Sequence, residues 1–223
     1  MADEINFIKE RVEDLGNKYQ AFGYLAPEEF NREIKQAQMD EISEQRLRFE
    51  MGTVSSDNLD AIKVSDNISI NSNGVATKPT DYLFFDSASH VVFYQNGRFE
   101  NKQTTVPIDV IPTNAVATRL SSEIKTPSRY FPICVLNDDT IQFYPETLGN
   151  VKLNYLKIPP DPVWGYVTTS GQPVYDNATS TNVVLPFQLI PNLIRRVCTQ
   201  LGVQVRQADI VQAMEQQNQI NNI

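Results

Sequence analysis

Apolar positions change their spacing twice along the chain: helical at the start, short and strand-like through the middle, helical again near the end. Ile5, Ile8, Val12, Leu15 and Tyr19 recur every three or four residues, which puts them on one stripe of a helix over residues 3–20. Asp3 stands where a cap is needed, and the acids that follow suit the positive end of the helix dipole. Gly16 weakens the middle slightly, and Gln20 to Ala26 reads as a turn. Ala26-Pro27-Glu28-Glu29 opens a second helix, with proline at the first helical position and carboxylates in the first turn. That helix runs to about Phe49. Phe30, Ile34 and Ala37 form one stripe, while Met39, Ile42 and Phe49 fall on a different side. Two apolar sides need two partners. Either both belong to the same chain, or one is a neighbouring subunit.

From Gly52 to Pro79 the pattern becomes polar and strand-like. Leu59 to Val64 and Asn67 to Ile70 alternate over short spans, and Asn71-Ser72-Asn73-Gly74 is a turn cluster. Tyr82 to Phe85, behind Pro79, reads either as a short helical turn or as a buried aromatic strand, and the helical turn is favoured. Val91 to Gln95 and Gly97 to Lys102 read as a hairpin about Asn96-Gly97. Thr104 to Val110 is a further strand, and a short helix is expected near Ala115 to Leu120.

The stretch from Pro127 to Tyr166 holds three apolar runs: Tyr130 to Leu136, Thr140 to Tyr144 and Val151 to Ile158. Turn residues separate them, as in an antiparallel meander. In the last run Val151, Leu153 and Tyr155 alternate with Lys152 and Asn154, which suits one buried and one wet face. Pro159-Pro160-Asp161-Pro162 stops the sheet, and Trp164, the only tryptophan, is expected to cover its end.

Tyr166 to Thr181 reads as a loop. Loops this long are often binding elements, so Thr168 to Thr181, with the tip at Asn71 to Lys78, is a candidate docking element. A closing helix follows, with Ile190, Leu193, Ile194, Val197, Cys198 and Leu201 on one stripe and Pro191 just inside its start. Gly202 ends it. A helical continuation over Asp209 to Asn218 and a Gln- and Asn-rich tail complete the chain. No internal repeat is visible.

These patterns predict an α+β fold: a helical bundle formed by both chain ends, residues 1–52 and 183–223, with an inserted antiparallel β-sandwich or barrel over residues 53–182. Ile5, Ile8, Val12 and Leu15 should then meet Leu193, Ile194, Val197 and Leu201.

The segments "PSRYFPI" and "VKLNYLKIPPDPVW", with the early helix "APEEFNREIKQAQ" and the closing "LPFQLIPNLIRRVCTQLGVQVRQADIVQAMEQQ", resemble the head-to-tail connector (tail ring) proteins of short-tailed, crAss-like bacteriophages. The likeness is one of spacing and residue type spread over most of the chain. It implies a structural virion protein of the neck, made in the host cytoplasm, with no catalytic role and no cofactor. Its copies would form a ring of about twelve below the portal. The implied partners are further copies, the portal protein or neighbouring tail rings, and DNA that passes without specific binding. Rival readings are another virion component, minor capsid or baseplate-like, or a glycan hydrolase built on a carboxylate pair.

Charge agrees with a passive channel. Asp and Glu outnumber Lys and Arg by 27 to 19, giving a formal net charge of −8. An acidic wall repels phosphate, so no strong DNA contact is expected. Cys134 and Cys198 stand far apart in apolar runs, without metal spacing, and this usage favours a reducing compartment. No run is apolar and long enough to cross a bilayer.

Motifs for chemistry are absent. His90 is the only histidine, and neither Ser87 nor Ser89 beside it is framed as a nucleophile elbow. Asp138-Asp139, Asp57 and Asp60 lack the spacing of a calcium loop. The candidate functional residues are therefore those of a subunit interface: Met39, Ile42, Phe49, Arg195, Arg196, Gln172, Pro173 and Tyr175. Arg195-Arg196 read as a solvated face or as rim charges.

Overall fold

A computed structural model describes residues 4–18, 25–52, 56–96 and 100–202. It is a mixed α/β protein that divides into two compact units, Met1–Ala61 with Pro159–Ile223, and Ile62–Ile158. The divisions fall nine residues later than the first predicted boundary and well before the second, so the Tyr166 to Thr181 segment belongs with the helices.

The first unit contains α1 (Glu4–Lys18), α2 (Pro27–Glu50) and α4 (Ile190–Gln200). α4 packs against both α1 and α2. Ile5, Ile8, Val12 and Leu15 of α1 and Leu193, Ile194 and Val197 of α4 are all buried, as their common stripe requires. Pro27 stands in the first turn of α2, followed by Glu28 and Glu29. Gly52 and Gly202 follow α2 and α4 with φ of 69° and 82°, the left-handed backbone that glycine adopts after a helix. Asp3, Tyr19 and the Asp209 to Asn218 helix lie outside the described residues.

α2 has two covered sides. Asn31 clamps the backbone of Trp164, accepting from its N–H at 2.7 Å and donating to its carbonyl at 3.3 Å. Gln38, 1% exposed, donates to the Pro160 carbonyl at 3.1 Å and accepts from Val184 N–H at 2.8 Å. These amides supply the backbone of the returning chain with partners it would otherwise lack. Within its own unit Trp164 packs against the helices through these contacts.

The second unit holds two four-stranded sheets. One has the order β1-β8-β3-β4: β1 (Lys63–Ser69), β8 (Asn150–Lys157), β3 (Tyr82–Asn96) and β4 (Glu100–Pro107). The other has the order β2-β7-β6-β5: β2 (Val75–Thr77), β7 (Thr140–Tyr144), β6 (Ile133–Leu136) and β5 (Asp109–Val110). Both contribute to one core, with Ile141 and Phe143 from β7 and Val151, Leu153 and Tyr155 from β8. α3 (Val116–Leu120) follows β5.

Four expectations need correction. β6 and β7 pair antiparallel, but β8 lies in the other sheet between β1 and β3, so the meander breaks after β7. Tyr82 to Phe85 is the start of β3, not a helical turn; pairing with Lys157 to Tyr155 satisfies its backbone, and Tyr82 stacks on Tyr155 at 5.7 Å. Thr104 to Val110 is two strands: Ile108 carries the chain from β4 of one sheet to β5 of the other, and β5 runs parallel to β6. Leu59 to Ile62 is a 3-10 turn rather than strand. The Asn71 to Gly74 turn is as expected; Asn71 Oδ1 accepts from Asn73 and Val75 N–H at 3.0 and 2.9 Å.

Gly74 sits in this turn with φ of 77°, and a Cβ there would lie 2.6 Å from the Phe143 carbonyl oxygen. Gly74→Ala meets both a disfavoured backbone and a backbone collision. It is expected to cost about 2 kcal/mol or more, read as a lowered urea midpoint. An unchanged midpoint would show that the turn is not packed as described.

Candidate functional site

The Tyr166 to Thr181 segment is not a loop throughout. Tyr166–Thr169 (β9) and Gln172–Tyr175 (β10) pair antiparallel about Ser170-Gly171. Ser170 and Gly171 have φ of 54° and 81°, the primed turn that matches strand twist. Tyr166 and Tyr175 face each other across the strands and flank Trp164 with ring centroids 5.9 and 5.8 Å away. Val167 and Val174, the next pair, are about half exposed.

Trp164 ties this hairpin to α1. Its indole N–H donates to Asn6 Oδ1 at 2.9 Å. Lys9 Nζ lies 4.5 Å from the ring centroid, a cation–π contact, and also pairs with Glu13. Asn6 Nδ2 donates to Glu10 at 2.7 Å. Gln172, Pro173 and Tyr175 close a cleft of about 660 Å³ over Asn6, Lys9, Glu10, Glu13 and Trp164. Three of the eight predicted interface residues thus come together. The cleft offers an aromatic floor, amides and two carboxylates, chemistry that suits a protein side chain.

The other five are scattered. Phe49 is 38% exposed at the end of α2, beside exposed Leu47 and Met51. Met39 is half-buried. Ile42 is fully buried within its own chain, so it has no surface to offer a partner, because α2 is covered there by other parts of the same unit. Arg195 is exposed. Arg196 is not a free rim charge: its Nε donates to Glu41 at 2.7 Å and its other arm pairs with Glu44. Burial works against the Arg196 charge, but the hydrogen bonds and charges of Glu41 and Glu44 outweigh it and raise the guanidinium pKa. Glu41, 1% exposed, also accepts from Gln45 at 2.8 Å. A buried carboxylate at position 41 has no signal in the sequence, since its spacing resembles that of any solvated glutamate.

The remaining candidates for chemistry are tied down structurally. His90 is buried and hydrogen-bonds the Arg129 carbonyl through Nε2 at 2.6 Å; facing a carbonyl, that nitrogen carries the proton. Ser87 accepts from Asn154 at 2.8 Å. The Asp138 carbonyl and that of Asn137 receive Lys78 Nζ at 2.9 and 2.6 Å, a turn held from outside. Burial pushes the thiols of Cys134 and Cys198 up to about 12. Burial and the neighbouring Asp81 and Asp66 raise the Tyr155 hydroxyl well above its usual range. Among the described residues no group of three or more His, Cys, Asp or Glu side chains is placed to hold a metal, and no helix is long and apolar enough to cross a membrane.

A second surface lies on β3. Its first half, Tyr82 to Ser89, pairs with β8, while Ser89 to Asn96 pairs with β4. The second half therefore forms a two-stranded ribbon. His90 and Val92 face inward and are buried, while Val91 and Phe93 face out, 37% and 66% exposed. The hairpin expected from Asn96-Gly97 is present as the pairing of β3 with β4, and residues 97–99 lie outside the described residues.

No protein-family model matches the chain, and no curated protein matches it.

Proposed function

We propose that the chain is a structural virion protein whose identical copies close into a ring below the portal, joining capsid to tail around the channel through which DNA leaves. The connector resemblance supplies the identity of the assembly. The finer fold reading goes with it: α1, α2 and α4 as a bundle built from both chain ends, and the two four-stranded sheets as an inserted β-sandwich with its core between them.

The observation that carries the reading is the β3–β4 ribbon. A two-stranded ribbon is marginally stable by itself, and this one turns Phe93, 66% exposed, and Val91 outward. Apolar side chains on a projecting element point to contact with another molecule. In a ring of identical subunits that contact is heterologous, one surface meeting a different surface of the next copy. The excess of acidic residues, 27 against 19, gives a wall along which DNA slides without being held.

Sedimentation of the purified protein tests this. A single closed oligomer is expected, with Phe93→Asp shifting it toward monomer while leaving the melting temperature within a few degrees. A protein that stays monomeric at every concentration would contradict the reading, and so would retention of duplex DNA at physiological salt.

A further inference from the structure

A cleft of about 390 Å³ in the Ile62–Ile158 unit is lined by Ile111, Ala115, Thr118, Arg119, Ser122 and Lys125. Two of these are cations. Arg119 Nε is buried and makes no hydrogen bond. Among the described residues neither Arg119 nor Lys125 has a carboxylate partner. Lys9, Lys35, Arg48 and Arg196 each have one; exposed Arg129, Lys152 and Arg195, like exposed Lys125, do not, so the group that sets this cleft apart is the buried Arg119 Nε. Two cations on one cleft, one with a buried N–H that lacks an acceptor, leave room for an anion between them. A buried guanidinium N–H without an acceptor bears an uncompensated desolvation cost.

The lining suits an oxyanion. The guanidinium presents a fork of donors and the ammonium a point charge. Ser122 Oγ already accepts from the Lys125 backbone N–H at 3.0 Å, which leaves its own proton to donate into the cleft. Thr118 adds a second hydroxyl.

The flanks of the cleft decide what carries the anion. On the same segment Leu120 is 44% and Ile124 94% exposed. A phosphate of DNA would leave both side chains in water, and the chain's net charge of −8 repels DNA. A carboxylate on a protein segment would neutralise the cations while its neighbours cover the apolar flank, as at the rim and core of an interface. We infer that this cleft receives a carboxylate side chain from a second copy of this chain, whose 27 acidic residues against 19 basic ones supply the complementary charge. The inference rests on the ring reading and names one surface of its copy-to-copy contact.

The test uses the full chain. Arg119→Glu with Lys125→Glu should weaken assembly at least tenfold by sedimentation. It should also abolish the loss of assembly that added sodium chloride causes in the wild type. The melting temperature of the monomer should be unchanged. Ile124→Asp, on a side chain in open solvent, leaves the fold undisturbed and should weaken assembly as well. Assembly unchanged in either variant overturns the inference and leaves the ring intact. A wild type that never assembles overturns both. Duplex DNA retained by the wild type and released by the double variant would make the cleft a phosphate site and overturn the carboxylate assignment.

Discussion

Leu193→Ala is expected to lower the unfolding free energy by about 2–5 kcal/mol, the range for emptying a buried leucine site. Leu193 is fully buried on α4, as are its stripe neighbours Ile190 and Val197. α4 is the element that packs against both α1 and α2, so a cavity at its centre loosens two contacts at once. Rigid helices collapse poorly into such a void, which places the cost toward the upper half of the range. Chemical denaturation with urea reads it directly. A loss below about 1 kcal/mol would mean that Leu193 is not enclosed.

Arg196→Met comes next in size. It leaves Glu41, 1% exposed, with only Gln45 to satisfy a buried negative charge. Removing one partner of a buried pair costs about 3–5 kcal/mol, and about 2–4 kcal/mol is expected here because the pair is only partly enclosed. The Arg196 side chain remains 24% exposed, which lets water reach the vacated side. The compensating double variant, Arg196→Met with Glu41→Leu, should recover most of the loss, since the penalty lies in the stranded charge and not in the missing attraction. A single variant as stable as the wild type, or a double variant no better than the single, would show that the pair is not the buried anchor of α2 and α4.

The helices were legible because each carries an apolar stripe at helical spacing: Ile5 to Leu15, Phe30 to Ala37 and Ile190 to Val197 all mark buried faces. The edges of β7 and β8 were legible for the same reason at period two, with Ile141, Phe143, Val151 and Leu153 inward. Pairing was harder to read. β8 pairs with residues of β1 and β3 more than sixty positions away in sequence, and nothing local records that choice. Tyr82 to Phe85 is too short for a period to separate strand from helix. The Ser170-Gly171 turn was present in the sequence as a Ser-Gly dipeptide, a turn signal obscured by the polar residues around it.

The candidate site was legible in part. Gln172, Pro173 and Tyr175 meet at one cleft because the hairpin places them beside Trp164. Ile42 and Arg196 were misread for a common reason. The buried polar residues of α2, Gln38, Glu41 and Gln45, close its second face against its own chain. A sequence pattern of apolar stripes does not register polar side chains that are buried because they are hydrogen-bonded.

The ring proposed between capsid and tail is open to direct imaging. Electron cryomicroscopy of the virion would show it, with the two units fitted separately into density at the neck. A closed ring of identical copies is expected directly below the portal, enclosing an open bore, with Phe93 and Ile124 both covered by neighbouring chains. Density for this chain on the capsid faces or at the distal tail, or isolated copies with Phe93 and Ile124 both in solvent, would contradict it.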